Sequence, residues 1–342
     1  MVGRSFAPTS QNMRPQGANI LVKESARCPN PISQSLFSEI ELTWSITMYN
    51  NILKYTIQEN DKTVKSILTE KLKFSKRLSK RLEQNGKILL NEREVKLNKS
   101  VFSGDELSVE FDEEEDEYDA VNIPIDIIYE DDDLLVINKQ PYIVVHPTRS
   151  HQNNTIANGI AYYYKQNKIN RKVRFVNRLD MNTSGIVIIA KNPYAHNRLS
   201  NQMKSNTVEK FYYAIVEGII SKDEGTINEP ILRLNPEDIV RVVHPSGKEC
   251  ITEYKAEKKY NNMTLVKLKL ITGRTHQIRV HMKHIGHPIA GDTLYGDNSS
   301  LIDRQALHCY KMKFKQPVTN EDIIITCSIP EDMKKLMSDS NE

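Results

Sequence analysis

Between Asp112 and Asp119 the chain carries seven carboxylates in eight residues, interrupted by Tyr118 alone. Such a block cannot be buried, because each carboxylate would need its own partner and neighbours repel one another. Residues 112–120 therefore read as a solvated acidic linker, unable itself to bind a polyanion. The apolar patterns on either side must close into separate cores. The 342 residues allow about two domains at ~150 residues each.

Ahead of the linker, residues 1–47 are rich in Ser, Pro, Asn and Gln and show no sustained period. They are expected to be disordered or weakly docked. Met48 precedes the first strand-like stretch, Ile52–Ile57, and is a candidate functional start. Trimming to it is then expected to leave activity intact.

Residues 48–111 read as a compact α+β module. Val64, Ile67, Leu68 and Leu72 recur at helical spacing. Ser75 is placed to cap a second helix, and Gly86 to end it. On that helix Leu78 and Leu82 form one stripe. Lys76, Arg77, Lys80 and Arg81 fall on the opposite face at about 100° per residue. A hairpin is expected from Ile88–Leu90 and Val95–Leu97 around Asn91-Glu92-Arg93, with a closing strand through Val101, Leu107, Val109 and Phe111. A charged helix face is usually just solvated. Here nearly all its charges share one sign, and a phosphate backbone is the natural compensating partner. The net charge is only +3, so this case rests on distribution: Lys62 to Lys99 holds a clear excess of Lys and Arg.

The cysteines, Cys28, Cys250, Cys309 and Cys327, form no Cys-x-x-Cys pair and fit no zinc spacing. Sparse thiols fit a reducing cytoplasm. No run of ~18 apolar residues is present and the N-terminus lacks an apolar signal core. The expectation is a cytoplasmic protein with no membrane contact.

Residues 121–335 form the larger domain. Strand-like runs occur at Leu134–Ile137, Ile143–His146, Ile186–Ala190, Phe211–Val216, Met263–Leu270 and Leu307–Phe314. Helical patterns occur at Ile156–Lys165, Ala195–Lys204 and Thr275–Ile285. Strands often follow one another directly, which predicts an α+β fold with a mixed or antiparallel sheet rather than a regular βαβ array. No internal repeat and no Gly-rich phosphate loop is visible.

Two segments are dense in chemistry. In Val176 to Gly185, Asp180 sits in a polar stretch just before the very apolar run Ile186–Ala190. Thr183, Ser184 and Gly185 offer donors that keep a carboxylate ionised. An Asp before a strand is more often a turn or cap residue. In Thr272 to His281, Ile278, Met282 and Ile285 form a core stripe with Arg279 beside it. An inward Arg279 would keep an active carboxylate charged and oriented; an ordinary surface Arg is equally consistent. His276, His281, His284 and His287 match no His-Glu-x-x-His pattern and have no acid among them, so no metal is expected.

Arg178-Leu179-Asp180 through Gly185 resembles the first signature of the large-subunit ribosomal RNA pseudouridine synthases of the RluA/RluD type. Ile137 to Pro141 through His146-Pro147 resembles that family's preceding strand and loop. Lys210 to Gly218 resembles its second motif. Thr272 to His281, continuing through Gly286 to Asp292 and Tyr295-Gly296, resembles its third, and Ala306-Leu307-His308 its late strand. The resemblance spans about residues 125–330, with its motifs in the expected order. The basic module, with its helix, turn and hairpin, resembles the small RNA-binding domain of ribosomal protein S-four type. One departure stands out: the position before Arg178 is His in the best-known members and Asn177 here, which suggests a subgroup with another target.

The resemblance implies a pseudouridine synthase fold and the isomerisation of uridine in structured RNA, with no cofactor. It makes Asp180 the nucleophile, Tyr212 the active-site tyrosine, and Arg279 the basic partner of the nucleophile. Arg178 would enter the RNA stack as the target uridine leaves it. Lys76, Arg77, Lys80, Arg81, Arg274 and His276 are candidate RNA contacts. Ribosomal RNA is the expected partner and transfer RNA the other; no heptad seam is visible, so a monomer is expected. A non-catalytic RNA-binding protein and an assembly factor stay open beside this reading. A two-carboxylate glycoside hydrolase lacks a second acid in a comparable setting.

Overall fold

The structure is a computed structural model that describes residues 46–49, 51–60, 62–112, 117–148, 152–296 and 302–338. Most of the expected N-terminal extension lies outside these residues. Its last two, Ile46 and Thr47, belong to a strand.

The N-terminal part builds one five-stranded sheet. Strands β1 (Ile46–Tyr49), β2 (Ile52–Thr56), β4 (Lys87–Leu90), β5 (Arg93–Glu94) and β7 (Glu106–Glu110) run in the order β1-β2-β7-β4-β5, and a separate short pair joins β3 (Lys62–Thr63) to β6 (Ser100–Val101). Thr63 caps α1 (Val64–Ser66), which continues as a π turn over Ile67–Lys71. Ser75 Oγ accepts from Leu78 N at 3.2 Å and starts α2 (Lys76–Asn85). Gly86 follows that helix in extended conformation, and there is no room for a side chain: a Cβ would lie 2.7 Å from Leu82 Cδ2 and 2.9 Å from Glu110 O. The β4–β5 hairpin turns on Asn91 and Glu92, both at positive φ (49° and 65°), the mirror-image turn that matches strand twist. The turn is one residue shorter than the sequence suggests, and Val95–Leu97 is not a strand.

The larger part is a ten-stranded sheet. Its members are β8 (Asp126–Glu130), β9 (Leu134–Lys139), β10 (Arg174–Phe175), β11 (Ser184–Ala190), β12 (Glu209–Glu217), β13 (Glu224–Asn228), β16 (Ile251–Tyr260), β17 (Met263–Leu270), β18 (Leu307–Lys315) and β19 (Asp322–Thr326). The path is β13-β16-β17-β12-β18-β11-β9-β8, with β10 on β11 and β19 on β18. All these pairs are antiparallel except β11–β18, which touch in parallel at Ser184↔His308 and Gly185↔Cys309. Short β14 (Ile231–Leu232) and β15 (Val242–Val243) pair apart from it. Helices α3 (Ile156–Gln166), α4 (Pro193–Lys204), α5 (Gln277–His284) and α6 (Glu331–Ser338) complete the fold. The central strands β9 and β11 are buried along nearly their whole length, which is why their sequences read as continuous apolar runs.

The expected strand at Ile143–His146 does not form; Val144 makes one isolated bridge to Thr155. Helix α5 starts at Gln277 rather than Thr275, because His276 stands in the left-handed region at φ 58°. The two parts are joined through α4. Its Tyr194 lies in the N-terminal core, with its ring centroid 5.5 Å from that of Phe74. Asn197 Nδ2 donates to Lys73 O (2.9 Å) and its Oδ1 accepts from Ser75 N (3.1 Å). The other end of α4, at Met203 and Lys204, reaches the cleft described next.

Candidate active site

The joint between the sheet halves shapes the loop that carries Asp180. Gly185 has φ +115°, and a Cβ there would lie 2.3 Å from Cys309 O. Only glycine lets β11 and β18 approach this closely. The chain immediately before the joint turns tightly, with Thr183 N donating to Asp180 O at 3.1 Å. Asp180 is thereby set at the end of a rigid buried strand, in the floor of a cleft of about 530 Å3. Its side chain keeps 26% exposure, so it is reachable from the cleft.

Helix α5 brings Arg279 to this carboxylate. Arg279 Nη1 lies 3.3 Å from Asp180 Oδ2, while Nε and Nη2 each bind Asp292 at 2.7 Å. Asp292 is fully buried and also accepts from Leu294 N (3.0 Å) and Tyr295 N (3.2 Å). Burial disfavours the Arg279 charge, but the two carboxylates outweigh it and raise its pKa further. The guanidinium also lies over the Tyr295 ring, 5.0 Å from its centroid. A planar donor held on two edges presents its third to Asp180 in one orientation.

His276 lies 3.8 Å from the same carboxylate through Nε2, and its Nδ1 is 2.8 Å from Tyr295 Oη. Burial lowers its pKa against the opposing pull of Asp180. Tyr212, on β12, forms the wall opposite. It is 7% exposed, and burial raises its pKa well above the usual tyrosine value, with Cys309 and then Asp180 adding to the effect. Its phenol is therefore protonated. Lys210, also buried, lines the same wall. Arg178 and Arg274 are exposed at the rim. The cleft thus gathers Asp180, Tyr212, Arg279, Arg178, Arg274 and His276.

The basic helix α2 stands apart, among the cleft's absentees. Lys76, Arg77 and Lys80 are exposed on it. Arg81 turns back instead and makes a bidentate pair with Asp112 (2.7 Å to each oxygen), pinning the start of the acidic segment. Two of the other histidines serve structure: His281 lies between Thr252 Oγ1 and Glu229 O, both at 2.9 Å, and His287 Nδ1 is 2.9 Å from Glu217 O.

Sequence reasoning assigned no role to four residues that support the site. Asp292 and Tyr295 fix Arg279 and His276, as above. Lys139 is fully buried, and its Nζ donates to Gln140 O, Ile143 O and Met181 O at 2.8–2.9 Å. Arg304, equally buried, pairs with Asp332 of α6 and donates to Asn182 O at 3.2 Å. Two basic side chains thus hold the consecutive carbonyls that follow Asp180. Burial, reinforced by Arg304, brings the Lys139 pKa down to about 7. Alternation along β9 was the available signal: Leu135, Ile137 and Lys139 share a face. A charge on a core face needs a reason.

Asn177 also has a structural task. Its Oδ1 accepts from Ile188 N (2.8 Å) and its Nδ2 donates to Ile186 O (3.0 Å). The side-chain amide so prolongs the pairing of β10 along β11.

The family model for RNA pseudouridylate synthase matches residues 133–284. An uncharacterized RNA pseudouridine synthase of Bacillus subtilis, YjbO, is 42% identical over 82% of this chain and 99% of its own length. Ribosomal large subunit pseudouridine synthase D of Haemophilus influenzae is 35% identical over 73% of this chain and 82% of its own. Among solved structures, human RNA pseudouridylate synthase domain containing 1 superposes with a TM-score of 0.51 at 27% identity, covering 61% of this chain and 84% of that one. With a cleft built around Asp180 and relatives aligned over nearly their full length, the chain belongs to the RNA pseudouridine synthase family, isomerases that convert uridine to pseudouridine within RNA.

Proposed function

We propose that Asp180 is the nucleophile of this isomerisation and that the target uridine is turned out of the RNA stack into the cleft. One observation carries this reading: a single reachable carboxylate lies against a guanidinium that a buried second carboxylate holds in place. The reaction breaks the bond from N1 to the ribose, turns the base, and joins the ribose to C5. C5 loses a proton and N1 gains one, so no external group or electron enters. A nucleophilic carboxylate, a surface for the base and a proton route suffice.

Arg279 orients Asp180 through its Nη1 contact. Tyr212 packs against the base, and its protonated phenol is suited to donate a proton rather than to accept one. Arg178, at the rim, fills the place the uridine leaves: unstacking costs a few kcal/mol, and a planar guanidinium replaces part of the lost stacking. Arg274 and His276 contact RNA beside it.

The substrate proposed is large-subunit ribosomal RNA, supported by the names of relatives such as the Haemophilus influenzae protein. Residues 48–111 act as an RNA-binding module of ribosomal protein S-four type, with Lys76, Arg77 and Lys80 on phosphates. Residues 112–120 join it to a catalytic domain over 121–335, and the enzyme works as a monomer. The test incubates the protein with unmodified ribosomal and transfer RNA and maps pseudouridine chemically, with Asp180→Asn alongside. Pseudouridine at defined sites of ribosomal RNA with the wild type alone is the expected result. Equal modification by Asp180→Asn would remove the nucleophile from this account.

A further inference from the structure

Strand β12 has two working faces. Lys210 and Tyr212 turn to the cleft, while the residues between and beyond them, Phe211 and Tyr213, stand half-buried on the other side. The same alternation leaves Lys267 and Lys269 of β17 partly exposed, and Tyr310, Lys311 and Lys313 of β18 are partly exposed too, around the register shift opposite Phe211 and Tyr212. We propose that this outer face of the sheet is a second RNA-contact surface, which takes a single-stranded flank of the substrate RNA where it leaves the cleft. It rests on the reading that the cleft acts on RNA.

The face combines flat rings with cations. The ammonium groups of Lys269, Lys311 and Lys313 lie 5.8, 5.6 and 5.9 Å from the Phe211 ring centroid. Tyr213 and Tyr310 stack with centroids 4.0 Å apart, and Lys267 lies 6.0 Å from Tyr310. A lysine stem lying along a ring is by itself ordinary surface packing. The charge balance goes further. Lys255 and Lys267 are directly opposite across β16 and β17, an arrangement that costs stability. Glu209 approaches Lys269 and Lys313 only at 3.7 and 3.8 Å. Lys255, Lys267 and Lys311 have no ion-pair partner among the described residues. Glu253 stands directly opposite Lys269 and Glu257 lies near Tyr213; with Lys222 and Glu224 of the adjoining groove, six lysines meet four glutamates. A polyanion relieves this repulsion.

Shape and position agree. The face carries an open groove of about 740 Å3 where Phe211, Lys255, Lys267 and Lys269 stand with Glu224 and Glu253 beside them. It begins at the end of the sheet where the cleft ends: Lys210 pairs with Leu270 in the cleft wall, and Phe211 with Lys269 one residue on. A strand leaving the cleft has only to pass over that end of β12. Aromatic side chains on an open sheet face stack unpaired bases while lysines hold the phosphates, a mode that needs single strands. A protein partner fits less well, since lysine is depleted at protein interfaces.

The test titrates the full chain with a fluorescent single-stranded oligouridylate of about 12 nucleotides and with a duplex of equal length. One variant combines Lys267→Gln, Lys269→Gln, Lys311→Gln and Lys313→Gln; a second combines Phe211→Leu and Tyr310→Leu, and thermal melts confirm that each is folded. The charge variant is expected to bind the single strand at least about 10-fold more weakly, with a salt slope reduced by roughly 2–3. The aromatic variant is expected to lose about 10-fold with its salt slope unchanged. Duplex binding, and kcat on a short stem-loop substrate, should stay at wild-type values. Single-strand affinities within twofold of wild type for both variants would overturn the proposal. So would loss of single-strand binding in a Lys76→Gln, Arg77→Gln, Lys80→Gln variant instead. If the wild type converts no uridine in any RNA, the reading of the cleft fails, while the oligonucleotide titration still judges this face.

Discussion

Arg279 grips Asp292 through two parallel hydrogen bonds of 2.7 Å and turns its remaining nitrogen, Nη1, to Asp180 at 3.3 Å. The buried carboxylate thus decides where the charge beside the reachable one sits. Lysine keeps the charge but has no planar fork to span both carboxylates. Arg279→Lys is therefore expected to lose about 100-fold in kcat/KM, the scale of one preorganised electrostatic contact. It should also lose about 3 kcal/mol of stability, as when a buried pair is broken. Denaturant unfolding beside single-turnover assays checks both. A variant with wild-type turnover would mean that the Asp180 contact is incidental.

Asp180 itself is expected to behave in the opposite way on stability. It is partly exposed, and its removal leaves Arg279 still paired with Asp292. Asp180→Asn should abolish pseudouridine formation while changing unfolding free energy by less than about 1 kcal/mol, as for an exposed ion pair. A large loss of stability in this variant would make Asp180 a structural residue.

The contrast between these two aspartates shows what the sequence could reveal. Asp180 was visible because a polar, hydroxyl-rich turn abuts an apolar strand, and because its neighbours form a family motif. Arg279 was half visible: helical spacing put it beside the core stripe, where it indeed lies buried. Asp292 is 13 residues from Arg279, in a loop with no periodicity, so its role is set by tertiary placement alone. The same holds for Arg304, which reaches Asn182 across 122 residues. In the fold, long apolar strands such as β9, β11 and β17 were legible. Strand β16 was not, because its outward positions carry charges that read as a loop. Nor does sequence spacing disclose the left-handed His276 that delays α5.

The contacts of Asn177, just before Arg178, predict a cost in stability rather than in chemistry. Its amide satisfies one donor and one acceptor of β11. Asn177→Ala leaves Ile188 N and Ile186 O without that partner, and a buried unsatisfied group costs about 1–3 kcal/mol. Unfolding free energy should fall by that amount with kcat at saturating RNA reduced less than about threefold, since a stability change alone leaves the folded fraction nearly complete. A collapse of kcat in a well-folded variant would instead give Asn177 a part in the reaction.

Acid is expected to attack the joint beside the active site. His308 is buried, with Nδ1 2.9 Å from Ser184 Oγ and Nε2 3.3 Å from Cys327 Sγ. Burial, then the Arg304 charge, lowers its pKa from 6.5 to about 4. The folded value lies below the unfolded one, so protons bind preferentially to the unfolded chain. The neutral ring's contribution is complete above about pH 6.5 and is lost as pH falls toward 4. A shift of this size corresponds to about 3 kcal/mol at most. Burial lowers His146, His276 and His281 in the same direction, so the slopes add. Unfolding free energy measured at steps between pH 7 and 4 should fall steeply in the wild type and more gently in His308→Asn, which cannot protonate. Ser184 pairs with His308 at the parallel contact between the sheet halves, so activity should fall in the same window as this contact loosens. Equal slopes in the two proteins would show that His308 does not govern the acid limb and would shift it to the other buried histidines.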